Sequence, residues 1–251
     1  MLGWKERRRR RVRERLFPAA WQSVLEVSVP LYRRLPLKDR DELHGHIQVL
    51  LAEKHFEGTA GLEVTDRMRL IVAAQAAILL LHRSTDCFPK LVSVLLYPGE
   101  YSVQEEVEAD DGLIDEIDEA RVGESWQTGT LILSWEEVER DLASDLQNVV
   151  LHEFSHQLDA ESGETNGAPI LPDRELRQRW AEAMSDAFER LTDAVDRNEE
   201  TLLDPYGAED PAEFFAVATE AFFLRPIELE KEEPELYAVL RDCFHQDPAR
   251  W

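Results

Sequence analysis

Asn148 to Ala160 reads NVVLHEFSHQLDA. An α-helix turns ~100° per residue, so side chains four apart stand nearly above one another. His152 and His156 therefore project from one helical face, and their imidazoles can reach a single Zn²⁺ at ~2.0–2.1 Å. Glu153 is displaced around the helix from the first histidine. It is badly placed as a third ligand and well placed to hold a water on the metal. The preceding Val149, Val150 and Leu151 are apolar, as a helix buried beneath a cleft requires. Glu153 with His156 also spells half of a di-iron carboxylate site. That site needs a second Glu-x-x-His, which the sequence lacks, so zinc is the better reading.

A catalytic zinc takes three protein ligands and leaves a position for water. Downstream, Asp204 to Phe223 reads DPYGAEDPAEFFAVATEAFF. Glu213 falls in the first turn of a helix, and Glu220, two turns on, shares its face. Phe214, Phe215, Ala216, Val217 and Ala218 lie between them. Carboxylates buried on so apolar a helix need a cation. Equally, Glu213 could merely favour the helix N-terminus and Glu220 could sit on a rim. The helix alone leaves both open.

The chain has 251 residues, 43% of them hydrophobic, enough for a sizeable core. Two cysteines, Cys87 and Cys243, make neither a disulfide framework nor a four-cysteine zinc site, and they fit a reducing compartment. The longest apolar run, Ile71 to Leu81, is too short to span a bilayer, and no secretory signal is visible. These features predict a cytoplasmic protein without a membrane span. Net charge is −24, unevenly spread. Lys5 to Arg15 carries eight basic and two acidic groups, +6 in all, against −30 for the remainder. So acidic a body repels nucleic acid, and no direct nucleic-acid binding is expected. The basic stretch reads as a frayed, solvated arm. Residues 1–15 are thus expected to be an arm and 16–251 a single domain, with a cleft over helix 146–158.

Periodicity predicts helices over Leu37–Phe56, Thr65–His82, Pro172–Val195, Asp210–Leu224 and Glu233–Phe244. Leu91–Pro98 and Gly129–Trp135 read as strands, and Tyr101–Val107 alternates loosely. Ser134 with Glu137 looks like a capping box opening another helix. Glu108–Gly123 reads as a loop or irregular hairpin. The class is α+β, mainly helical, with a small sheet beside the His-Glu-x-x-His helix.

VVLHEFSHQLD together with DPYGAEDPAEFFAVATEAFF resembles the Mlc titration factor A family, bacterial zinc peptidases whose catalytic core is similar to the lethal factor protease of anthrax toxin. VPLYRRLP, LIVAAQAAILL, GESWQTGTLILSW and CFHQDP extend the resemblance over nearly the whole chain. It implies a zincin-type zinc metallopeptidase with one Zn²⁺ per chain and aminopeptidase-like action on short peptides. It implies Glu213 as the third metal ligand beside His152 and His156, with Tyr206 projecting into the site. It also implies a second role, sequestering a transcriptional repressor of sugar uptake. On this reading Glu153 is the general base and Tyr206 a donor to the oxyanion. Gly129–Trp135 is the candidate to hold peptide or protein substrate by strand addition, and it reads equally as an ordinary interior strand.

One position departs from the wider zinc-peptidase pattern. Many such enzymes place an acid four residues after the glutamate ligand, where this chain has Val217. A ligand histidine needs an acceptor for its other ring nitrogen. Asp159 and Glu220 are the candidates, and the sequence does not choose between them. His44 and His46, two apart, cannot form a metal pair, and Cys87 has no evident activating base.

Overall fold

The computed structural model describes residues 3–84, 86–99 and 129–251. The expected segments Tyr101–Val107 and Glu108–Gly123 lie outside the described residues. Helix α1 (Trp4–Arg13) leads to α2 (Ala19–Ser28), α3 (Pro30–Arg34) and α4 (Arg40–Glu53). Strand β1 (His55–Gly58) follows, then α5 (Asp66–Ile78), β2 (Ser93–Tyr97) and β3 (Thr130–Ser134). The rest is helical: α6 (Trp135–Asp141), α7 (Val149–Asp159), α8 (Arg174–Asp196), α9 (Pro211–Leu224), α10 (Pro226–Glu232) and α11 (Pro234–Phe244). Among the described residues the class is α+β, with helices outweighing a three-stranded parallel sheet of order β1-β2-β3.

Sheet register aligns Phe56 with Val94 and Val94 with Leu131. Side chains alternate across a strand, so Val94, Leu96, Leu131 and Leu133 all bury toward the helices. The sequence shows only two of these strands. His55 and Phe56 were expected to close helix Leu37–Phe56, but that helix stops at Glu53 and they open strand His55–Gly58 instead. Buried Lys54 then turns its ammonium onto the carbonyls of Phe88 (2.6 Å) and Leu91 (2.8 Å), and the chain enters the sheet. A four-residue strand of which only Phe56 is not exposed has too little alternation to read.

Helix α5 is the buried centre; Thr65 caps it by accepting the N–H of Met68. It packs on α4 and on α7, while α7 packs on α9. One apolar cluster runs from Val12 to Phe244. No helix among the described residues is long and apolar enough to cross a membrane.

The amino-terminal arm departs from expectation. Residues 4–13 form a helix packed on α4 rather than a solvated tail. Arg9 and Val12, three apart, turn inward while Arg7, Arg10 and Arg11 stay outside. Arg9 is 2% exposed and forks onto Glu53, Nε to Oε1 at 2.9 Å and Nη2 to Oε2 at 2.6 Å. It also donates to the Asp86 carboxylate and carbonyl. Buried charge needs such partners, and three groups supply them here.

Candidate metal centre

Helix α7 starts at a corner where side chains accept the N–H groups of Asn148, Val149 and Leu151. Asn148 caps it, its Oδ1 accepting the N–H of Leu151 at 3.0 Å. Asp141 Oδ2 accepts the Val149 N–H at 2.8 Å, and Asn148 Nδ2 donates to Gln75 Oε1 at 2.6 Å. The Asn148 N–H donates to Glu220 Oε2. Asp141, Asn148 and Gln75 were not singled out from sequence as parts of the site. The signal for Asn148 was an uncharged capping residue before an apolar run; that for Gln75 was one amide inside an otherwise apolar helix.

From that corner the helix presents its two histidines to α9. His152 Nε2 lies 2.9 Å from Glu213 Oε2 and 3.3 Å from His156 Nε2. His156 Nε2 lies 3.4 Å from Glu213 Oε1. Ligands at ~2.0–2.1 Å around a tetrahedral ion stand about 3.3 Å apart, so this spacing suits a shared cation. Among the described residues, His152, His156 and Glu213 form a group whose donor atoms converge closely enough to hold a metal ion.

Glu220 Oε1 takes the other nitrogen of His152, Nδ1, at 2.9 Å. Asp159, the other candidate, is occupied elsewhere: its oxygens accept the N–H groups of Gly167 (2.7 Å) and Ala168 (2.9 Å). With an Nδ1 proton given to Glu220, neutral His152 turns a lone pair toward the Glu213 carboxylate. Positive charge between them resolves that conflict, which is the physical case for a metal at this point. The same demand appears in the acid–base balance. Burial opposes charge on His152, yet its hydrogen bonds to Glu213 and Glu220 raise its pKa to about 10. Burial pushes Glu213 up, but His152 and His156 hold it down at about 2.

Glu153 is half-buried, and its charge acts on both His152 and Tyr206. Tyr206 sits in a short turn, Pro205–Ala208, capped by Asp204. Its ring centroid is 6.0 Å from that of His152, and 47% of the residue is exposed. Burial, then the charges of Glu213 and Glu209, push its phenol above the ordinary range, so it stays a donor at neutral pH. The turn rests on α9 at Gly207: an added Cβ there would meet Leu191 Cδ2 at 3.2 Å and Val217 Cβ at 3.3 Å. Val217, where an acid is missing, thus seats the tyrosine turn, and Glu220 one turn later meets His152.

His44 and His46 go to different partners, Tyr32 for the first and Glu42 for the second. His46 Nδ1 also stands 4.0 Å from the Cys87 thiol, a neighbour that sequence spacing did not show. Strand β3 is last in the described sheet and feeds directly into α6.

Two histidines one turn apart, a glutamate from a second helix and a carboxylate behind the first histidine are the donor arrangement of a metallopeptidase. The chain belongs to the glucose-regulated metallo-peptidase M90 family, whose model matches residues 4–245. An uncharacterized protein of Synechocystis sp. is 38% identical over 98% of this chain and 90% of its own length. Mlc titration factor A of Pectobacterium atrosepticum is 32% identical, over 91% of this chain and 86% of its own. The protein of the same name in Serratia proteamaculans is 31% identical, over 92% and 88% respectively. The resemblance read from the motifs therefore holds across almost the entire chain.

Proposed function

We propose that the protein is a cytoplasmic, zinc-dependent peptidase, aminopeptidase-like, acting on short peptides. The observation that carries this is the convergence of His152, His156 and Glu213 at 2.9–3.4 Å with Glu220 behind His152. His152, His156 and Glu213 would hold one Zn²⁺. When bound, zinc acts as a Lewis acid on a carbonyl and lowers the pKa of a bound water to about 7. Glu153 accepts the proton of the attacking water and passes it to the leaving amine. The Tyr206 hydroxyl donates to the carbonyl oxygen as negative charge gathers there. Glu220 fixes the His152 tautomer and ring orientation. Strand β3, last in the described sheet, receives the substrate backbone by strand addition.

A second reading comes from the relatives named Mlc titration factor A, at 32% and 31% identity. On it, the chain binds a transcriptional repressor of sugar uptake. That role needs a surface and no base beside a metal, so Glu153 separates the two. Metal analysis of the purified protein, run beside cleavage of a peptide library, tests the first reading. One zinc per chain with cleavage supports it. Zinc-loaded protein that cleaves nothing across a broad library would move the assignment to the binding role.

A further inference from the structure

A cleft of about 690 Å³ lies beside the metal centre and takes no part in the chemistry above. Its walls are mainly apolar: Trp180, Met184 and Phe188 from α8, Ile170 and Leu171 from the preceding loop, and Phe214 from α9. Ile170 is 57% exposed at its lip, an apolar side chain standing largely in water.

Three contacts tie this cleft to the metal helices. Pro211 and Phe214, which line it, flank Glu213 within the first turn of α9. The lining loop is clamped by Asp159, three residues after His156, through the N–H groups of Gly167 and Ala168. Gly167 lies against Pro211 so closely that a Cβ would overlap its carbonyl oxygen, and its own carbonyl takes the Trp180 indole N–H at 3.1 Å. The near edge of the cleft is thus within a helix's breadth, ~10 Å, of Glu213. An extended peptide covers that distance in about three residues.

We propose that this cleft is the specificity pocket of the site, and that it takes a large apolar side chain of the peptide, Leu or Phe in size, within about three residues of the scissile bond. The inference rests on the peptidase reading for its substrate class. Its volume lies in the ordinary range for ligand pockets, and the apolar walls give the contact that selects such a side chain. Arg177 and Glu161 also line it. The Arg177 guanidinium keeps its charge while giving one N–H to the Leu171 carbonyl at 3.1 Å, and the Glu161 carboxylate in the same lining stands against that charge.

The test uses zinc-loaded Glu153→Gln protein, which needs no turnover, and a labelled peptide pair differing only by Phe or Ser at one position. That position is scanned along the peptide. Titration followed by fluorescence anisotropy should show the Phe peptide binding ~10-fold or more tightly at one position. Ala181 lines the cleft and is exposed on α8, so Ala181→Trp fills the pocket from the solvent side. It should erase the preference while leaving the Ser peptide unchanged. Should that variant misfold, Ile170→Ser at the exposed lip should weaken the Phe peptide several-fold and spare the Ser peptide. Equal binding of the pair at every position, or a preference that survives these changes, overturns the proposal. Cleavage by the unmodified protein is scored separately. A Phe preference without cleavage sinks the peptidase reading and keeps the pocket; cleavage without any preference does the reverse.

Discussion

Glu220 grips His152 at Nδ1, 2.9 Å away, while its second oxygen accepts the N–H of Asn148 at the start of the same helix. One carboxylate therefore fixes both the ring and the helix end that carries it. Glu220→Gln keeps the shape and removes the charge. Zinc affinity should fall ~10–100-fold, as is usual for a partner behind a metal ligand. Competition titration against a zinc chelator measures this. Asp159→Asn, which touches the Gly167 loop instead, should leave zinc affinity within a factor of a few; equal losses in both variants would refute the division of roles.

Glu153→Gln should keep one zinc per chain and lose hydrolysis, because an amide cannot accept the proton yet has nearly the same size. Metal content by elemental analysis, beside turnover of a peptide, decides it. Loss of zinc from this variant would make Glu153 a ligand.

Tyr206→Phe removes one donor and keeps the ring near His152. It should lower kcat by ~10²–10³ and change KM and zinc content much less. Steady-state kinetics on a short peptide tests this, and an undiminished kcat would leave Tyr206 a packing residue. Binding of a repressor partner, on the second reading, should be untouched.

Arg9→Met should cost ~3–5 kcal/mol, since it strands the Glu53 carboxylate beside a buried surface. The loss has a pH signature. The hydrogen bonds and charge of Arg9 lower the pKa of Glu53 below its ordinary 4.5 in the folded chain. Its contribution is then fully present above the unfolded value and disappears as pH falls through the lowered one. Denaturant midpoints of the two proteins should stand well apart at neutral pH and draw together below about pH 4. A gap that stays constant with pH would mean Arg9 acts by packing alone.

The sequence was informative where a period or a fixed spacing exists. His152 and His156 declare a shared face, and the long apolar run before His82 declares a buried helix. Phe214 to Phe223 marks another, with Glu213 and Glu220 on one side of it. What stayed hidden depends on long-range approach. Spacing could not choose between Asp159 and Glu220, because Asp159 is claimed by Gly167 and Ala168, which only the folded loop brings to it. The Arg-rich start looked like a solvated tail because charge run and helix face were counted together. Only Arg9 turns inward, and its partners Glu53 and Asp86 are more than forty residues away. Strand β1 was too short and too exposed for its pattern to show.

Gly207 has no reactive group, yet it sets where one stands. Leu191 and Val217 meet beneath it so closely that a methyl, at 3.2 and 3.3 Å from them, fits only if they give way by a few tenths of an ångström. A bulky side chain there would press on both and lift the tyrosine turn from the helix that carries Glu213, moving hydroxyl and carboxylate out of step. A search for inactive variants would therefore recover a silent-looking glycine alongside the histidines. Such a protein would be stable, fully loaded with metal and slow, a pattern easily mistaken for a defect in substrate binding.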